Sequence, residues 1–354
     1  MQNSHLRSPR SSVFAVFPGQ GSQHVGMAKD LYENFSFVRE IFEEASDAIR
    51  VDLKTLCFDG PERDLTLTEN TQPCLLTASV AAYRVAEREL NFIPGAVAGH
   101  SLGEYSALVA IRSLDLSSAV RWVKERGAAM QKAVPAGEGS MAAILNLEDS
   151  LISQLCQEAT ESAAEKRKKY DSTEISVPAL VEPANFNAPG QVVIAGSVDA
   201  VEEAIEIVKA GGSFLGGKAI PLKVSAPFHC KLMGFARDRM AELFTLATSA
   251  QKPKILPCPY VPNRTARLSS EPGLIFELLV EQVDQPVLWK QSIQTLFEHQ
   301  FSTAIEFGPS RVLSGLIKRI ATHSSQKCLQ HSVNDSATIK SLGTFMKTLE
   351  SHKL

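Results

Sequence analysis

A chain of 354 residues, 44% of them hydrophobic, can fold around a large core and suits one large domain with a smaller one attached. A formal net charge of −3 gives no basic field for nucleic acid, and no apolar run approaches the length of a membrane span. Cys57, Cys74, Cys156, Cys230, Cys258 and Cys328 are scattered with no Cys-x-x-Cys pair, which predicts reduced thiols in a cytoplasmic protein.

Met1 to Ser12 carries Arg7 and Arg10, no acid and no apolar signal stretch, and reads as an extension ahead of the first strand. Val13-Phe14-Ala15-Val16-Phe17 reads as a buried strand that stops at Pro18-Gly19. Helical spacing follows over residues 35–49 and over 72–90, where Pro73 would sit in the first turn. Gly95-Ala96-Val97-Ala98 reads as a strand end, and residues 118–131 as a further helix that stops before Pro135-Ala136-Gly137.

The rhythm then changes. Strands are expected at 141–145, 177–181, 191–195 and 218–224, with helices at 151–159 and 201–210. Strand-helix-strand-strand-helix-strand is the ferredoxin-like order. The predicted class is α/β: a mostly parallel, hydrolase-like sheet core, residues 13–135 and 221–335, with a ferredoxin-like α+β subdomain inserted at 136–220. Residues 1–12 and 336–354 read as terminal extensions. Glu165 to Asp171, rich in lysine, reads as an exposed loop or a frayed helix end, either a solvated surface or a basic patch for an acidic partner. A helical stretch within 228–246, a core strand at 303–307, a helix through Leu313, Leu316 and Ile317, and a docked terminal helix on Ile339, Leu342, Met346 and Leu349 complete the chain.

Between the strand end at 95–98 and the helical Glu104 to Ala110 lies Gly99-His100-Ser101-Leu102-Gly103, which reads as a nucleophile elbow. A serine on such a turn projects its oxygen out of the fold, and small neighbours let the backbone turn sharply. Ser101 needs a base, because an alcohol is a weak nucleophile until its proton is taken. His100, adjacent on the turn, should point elsewhere. Of the other histidines His229, in the loop Ala226-Pro227-Phe228-His229-Cys230 between a strand and a helix, has the best context.

Phe17-Pro18-Gly19-Gln20-Gly21-Ser22-Gln23 is a tight polar loop after the first strand, where such loops lie over a site. It is either a structural turn or the source of an oxyanion-hole N–H that works with the N–H after Ser101. It lacks both the Walker and the dinucleotide glycine patterns. Arg126 is either a solvent-facing helix charge or an inward one that needs an anion such as a carboxylate. Asn185 and Asn187 read as turn-formers that cap local backbone. The histidines and cysteines form no ligand-spaced cluster, so no metal or other cofactor is expected.

Seven segments in this order resemble the malonyl-CoA:acyl-carrier-protein transacylase family of type II fatty acid synthesis. They are Phe17 to Gln23, Thr71-Gln72-Pro73, Gly99 to Glu104, Arg126-Gly127, Asn185 to Gly196, Pro227 to Cys230 and Gly308 to Ile320. The same signature occurs in acyltransferase domains of polyketide and animal fatty acid synthases, and the elbow alone would also suit a serine thioesterase or hydrolase. The resemblance implies Ser101 as nucleophile, His229 as base, and the Gln20 and Leu102 N–H groups as oxyanion hole. It also implies Arg126 as carboxylate binder and Gln72 as a pocket residue. The base would be oriented by the backbone carbonyl of Gln282 rather than by an acid, and Phe228 would exclude an α-methyl branch. Malonyl-CoA and holo acyl carrier protein are the implied partners. The stretch around Lys166 departs from the family as an insertion, and the tail beyond about Ala321 carries none of its motifs.

Overall fold

The computed structural model describes residues 12–169 and 175–351. The expected N-terminal extension, apart from Ser12, lies outside the described residues, as do Tyr170 and Asp171 of the basic run.

The larger sheet has five strands in the order β7-β2-β1-β8-β9. They are β1 (Val13–Phe17), β2 (Ala96–Gly99), β7 (Tyr260–Val261), β8 (Thr303–Phe307) and β9 (Leu329–Val333), all parallel. Every residue of β1 is buried, because helices cover both faces. Phe14 and Val16 pack with Trp289, Ile293 and Ile317, whereas Val13, Ala15 and Phe17 belong to the main core with Tyr83 and Leu108.

The smaller sheet contains β3 (Gly139–Leu145), β4 (Val181–Ala188), β5 (Gln191–Ser197) and β6 (Lys218–Pro221), antiparallel in the order β4-β5-β3-β6. Helices Asp149–Lys169 and Val198–Ala210 complete the ferredoxin-like order and share a core with Ile144, Val192 and Ile194. The expected strand at 177–181 instead begins at Val181 and runs through Asn185 and Asn187. These asparagines are therefore strand residues and not turn-formers. β4 is an edge strand, where Pro183 breaks no ladder, and its register shifts at Ala184 and at Asn187. Its outer side meets the other half of the molecule through a parallel bridge, Asn185 with Val287.

Several bounds differ from the sequence reading. The helix expected at 151–159 runs from Asp149 to Lys169 and buries Ile152, Leu155, Cys156, Ala159 and Ala163 at helical spacing. The basic run is its last turn: Arg167 forms a bidentate pair with Asp199 and Lys166 pairs with Glu203. The helix expected at 72–90 begins at Thr68, which moves Pro73 inside it. Strand β9 and the helix Ser336–Ser351 extend the fold beyond Ala321, and Leu342 is fully buried in the main core.

Candidate active site

Ser101 sits between the end of β2 and the helix Gly103–Ala110 with φ +53°, a left-handed conformation that a side chain rarely adopts. Two glycines make the turn possible. A Cβ on Gly99 would lie 1.9 Å from the Gly103 carbonyl, and one on Gly103 would lie 2.0 Å from the Phe17 carbonyl oxygen. Backbone crowds backbone there, so relaxation is costly. Gly103→Ala is expected to destabilise the fold by about 3 kcal/mol or more, seen as a lowered thermal midpoint; an unchanged midpoint would show that the elbow is less crowded than this.

His229, also at positive φ (+62°), brings Nε2 to 2.7 Å from Ser101 Oγ. Its Nδ1 lies 2.8 Å from the backbone carbonyl of Gln282. A carbonyl only accepts, so Nδ1 carries the proton and Nε2 presents its lone pair to the serine hydroxyl. Burial, then the charge of Arg126, push the His229 pKa down to about 3, which keeps the ring neutral. His100 turns away: its Nε2 lies 2.8 Å from Asn187 Oδ1, and its ring meets Trp289 edge-on.

Arg126 points inward and is 1% exposed, which removes the solvent-facing alternative. Its Nη1 donates to Gln72 Oε1 at 2.9 Å, and its Nη2 to Gln282 Oε1 at 2.8 Å and to Ser101 Oγ at 3.1 Å. These partners are all neutral, and its buried Nε has no partner among the described residues. A guanidinium so desolvated, with donors to spare beside a nucleophile, is suited to an anion.

Ser101, His229 and Arg126 open into a cavity of about 660 Å³, with Gln20, Gln72, Leu102 and Phe228 in its walls. Gln282 stands behind this wall, touching it through His229 and Arg126. Met141, Asn185 and Val193 of the smaller sheet form the opposite side, so the cavity is a cleft between the two halves. Among the described lining residues the charged ones are Arg63, Arg126 and Lys223, with no carboxylate. The N–H groups of Gln20 and Leu102 have no protein acceptor among the described residues. No group of acidic, histidine or cysteine side chains that could hold a metal occurs among the described residues.

Two neighbours of Ser101 were not singled out from sequence. Asn263 accepts the Ser101 N–H on Oδ1 at 2.6 Å and donates Nδ2 to the Gly99 carbonyl. Glu104 is 1% exposed and accepts from Asn263 N–H at 3.0 Å and Gln282 Nε2 at 2.7 Å. A lone acid opening the apolar stretch Ala107 to Ala110 was the available signal for Glu104. Asn263 follows a two-residue strand, too short for any periodicity.

A parallel α/β sheet, a serine elbow, a carbonyl-oriented histidine and a buried arginine in one cleft define an acyltransferase. The family model for the acyl transferase domain matches residues 13–352. The match reaches past residue 320, where the motif resemblance ended. The malonyl CoA-acyl carrier protein transacylase of Escherichia coli K12 is 44% identical over 306 residues, 86% of this chain and 91% of that protein. Its counterpart in Bacillus subtilis 168 is 40% identical over 330 residues, 93% and 96% respectively. A crystal structure of an acyl-carrier-protein S-malonyltransferase from Burkholderia pseudomallei 1710b matches with a TM-score of 0.83 at 40% identity, covering 94% of this chain and 99% of that one. This chain belongs to the malonyl CoA-acyl carrier protein transacylase family.

Proposed function

We propose that the chain moves malonyl from coenzyme A to the phosphopantetheine thiol of acyl carrier protein through an ester on Ser101. The observation that carries the malonyl assignment is the buried Arg126, whose Nη2 lies 3.1 Å from the nucleophile oxygen. A malonyl thioester places its free carboxylate a few atoms from the carbonyl under attack, so one ligand reaches both groups. That carboxylate would take the donors of Arg126 that lack an acidic partner. Gln72, bonded to Nη1, holds the guanidinium plane.

The steps follow from the geometry. His229 Nε2 takes the Ser101 proton, and Oγ attacks the thioester carbonyl. The Gln20 and Leu102 N–H groups receive the oxyanion. Collapse breaks the C–S bond, and His229 returns its proton to the departing coenzyme A sulfur. The carrier thiol then gives its proton to His229 and attacks the Ser101 ester, and Oγ recovers the proton as the product leaves. The Gln282 carbonyl holds the ring throughout and meets the imidazolium with a dipole instead of a charge. Phe228 narrows the cleft beside the acyl group, which disfavours an α-branched malonyl.

As functional units we propose residues 13–135 with 221–335, which supply nucleophile, base and arginine, and residues 136–220, which close the cleft. We place the activity in the cytoplasm. The six cysteines are free, which fits a reducing compartment. No helix among the described residues is long and apolar enough to cross a membrane.

Incubation with malonyl-CoA alone should add one malonyl mass to the intact protein, and Ser101→Ala should abolish the adduct. A folded protein that takes no adduct would overturn the acyl-serine route. Release to water in place of a pantetheine thiol would make the enzyme a thioesterase.

A further inference from the structure

Gln282 serves two parts of the site. Its backbone carbonyl receives His229 Nδ1–H at 2.8 Å, and its side-chain oxygen receives Arg126 Nη2–H at 2.8 Å. Any shift of this residue therefore moves the base and the anion-binding arginine together. Its remaining group, Nε2, donates to Glu104 Oε2 at 2.7 Å and to the Ser101 carbonyl at 3.0 Å. The same Glu104 oxygen accepts the Asn263 N–H at 3.0 Å, and Asn263 Oδ1 accepts the Ser101 N–H at 2.6 Å. One carboxyl oxygen thus links the nucleophile's backbone to the residue that orients the base.

A space-filling role does not explain Glu104. It is 1% exposed among apolar helix neighbours, where a carboxyl is costly to bury and an aliphatic side chain would pack without that cost. We propose that Glu104 is a positioning residue for acyl transfer: by accepting from Gln282 and Asn263 together, Oε2 sets Ser101, His229 and Arg126 in register. This rests on the acyl-transfer reading of the same site. The function needs the oxygen and not the charge. Oε1 has no partner among the described residues, so a proton there leaves Oε2 a carbonyl acceptor. Burial raises the carboxyl pKa to about 7, against the pull of Asn263, Gln282 and Arg126, and both protonation states keep the same two bonds.

Two variants separate oxygen from charge. Glu104→Gln offers a carbonyl at the same reach and loses the charge. Glu104→Asp keeps the charge but draws the oxygen back by roughly 1.5 Å, one carbon–carbon bond. The measurements are single-turnover malonylation of Ser101 and the proton resonance of His229 Nδ1–H, which reports the bond to Gln282 directly. Glu104→Gln should acylate within a few-fold of wild type with the resonance in place. Glu104→Asp should slow acylation by about 100-fold, as misplacement by about an ångström does, and should shift or broaden the resonance.

A folded Glu104→Asp with wild-type rate and unmoved resonance overturns the proposal. So does a Glu104→Gln as impaired as Glu104→Asp, since charge would then be what matters. Should Glu104→Asp not fold, Gln282→Leu severs the same link from its other end, and an unmoved resonance there overturns the proposal equally. Absence of malonylation in the wild type would be a failure of the acyl-transfer reading itself, recognisable because it precedes any variant.

Discussion

Arg126→Ala should lower kcat/KM for malonyl-CoA by about 10²- to 10⁴-fold and leave acetyl-CoA near or above its wild-type value. A bidentate guanidinium gives a carboxylate two charge-assisted hydrogen bonds, each typically about 1.5 to 3 kcal/mol, and about 1.4 kcal/mol corresponds to tenfold in rate. Acetyl-CoA has no carboxylate and loses neither bond. It even gains, for two reasons. Nη2 no longer donates to Ser101 Oγ, and a positive charge that weakens His229 as a base is gone. Against this, Gln72 and Gln282 each lose a donor, which tempers the gain. Arg126→Lys should recover only part of the malonyl activity, because an ammonium cannot match both carboxylate oxygens in the plane. The check is the ratio of specificity constants for the two thioesters. A proportional loss in both would make Arg126 a structural residue and leave the malonyl assignment resting on family membership alone.

The course of Arg126 was left open by spacing, and the structure turns it inward. Val123 and Met130 flank it at helical spacing and are buried with it, whereas Arg121, Lys124 and Glu125 are not. What composition could not supply was the reason for an arginine on that stripe, since Gln72 and Gln282 are distant in sequence. The same limit applies to the whole site. Ser101 could be read from its flanking strand and helix, because an elbow is a local structure. Its contact with His229 spans 128 positions, and only the tertiary fold joins them. The orienting group of His229 has no signal in residue chemistry, because every residue has a carbonyl; the family resemblance pointed to that of Gln282, and the fold brings it to 2.8 Å from Nδ1.

The fold followed the same rule. β1 is an unbroken apolar run, and β8, Thr-Ala-Ile-Glu-Phe, keeps an apolar centre inside a fully buried strand, so both are legible in the sequence. β7 and β9 are not: one has two residues, and the other, Leu-Gln-His-Ser-Val, is polar on a half-exposed sheet edge. β4 was displaced because Pro183, Asn185 and Asn187 read locally as turn chemistry. Tertiary context overrides that reading: the strand lies at an edge, one register shift falls at Asn187, and the bridge from Asn185 to Val287 covers its outer side. Residues that break the local pattern lie at the site: Asn187 reaches His100 of the elbow, and Glu104 holds Gln282.

His229→Ala should lower the rate of Ser101 malonylation by about 10²- to 10⁴-fold, the usual worth of a general base, with malonyl-CoA still bound through Arg126. The pH dependence is more telling. A protonated ring cannot accept the serine proton, so activity falls as pH drops through the His229 pKa. Burial and the Arg126 charge hold that pKa at about 3. The acid limb that His229 imposes on kcat/KM, which reports the free enzyme, should therefore lie far below the usual histidine range. A malonyl carboxylate on Arg126 offsets its charge and makes the imidazolium easier to form. The limb in kcat should consequently lie at higher pH than the limb in kcat/KM, and Arg126→Ala should raise the latter for acetyl transfer. Stability carries the same sign. A folded pKa below the unfolded 6.5 means that the unfolded chain takes up the proton first. The His229 contribution is intact above about 6.5 and is lost as pH falls from there toward 3, at about 1.4 kcal/mol per pH unit. His229→Gln should accordingly lose less thermal stability between neutral and mildly acidic pH than wild type. Coincident limbs in kcat and kcat/KM near 6.5, with no change in acid stability, would show a solvated ring and a base that does not sense the arginine.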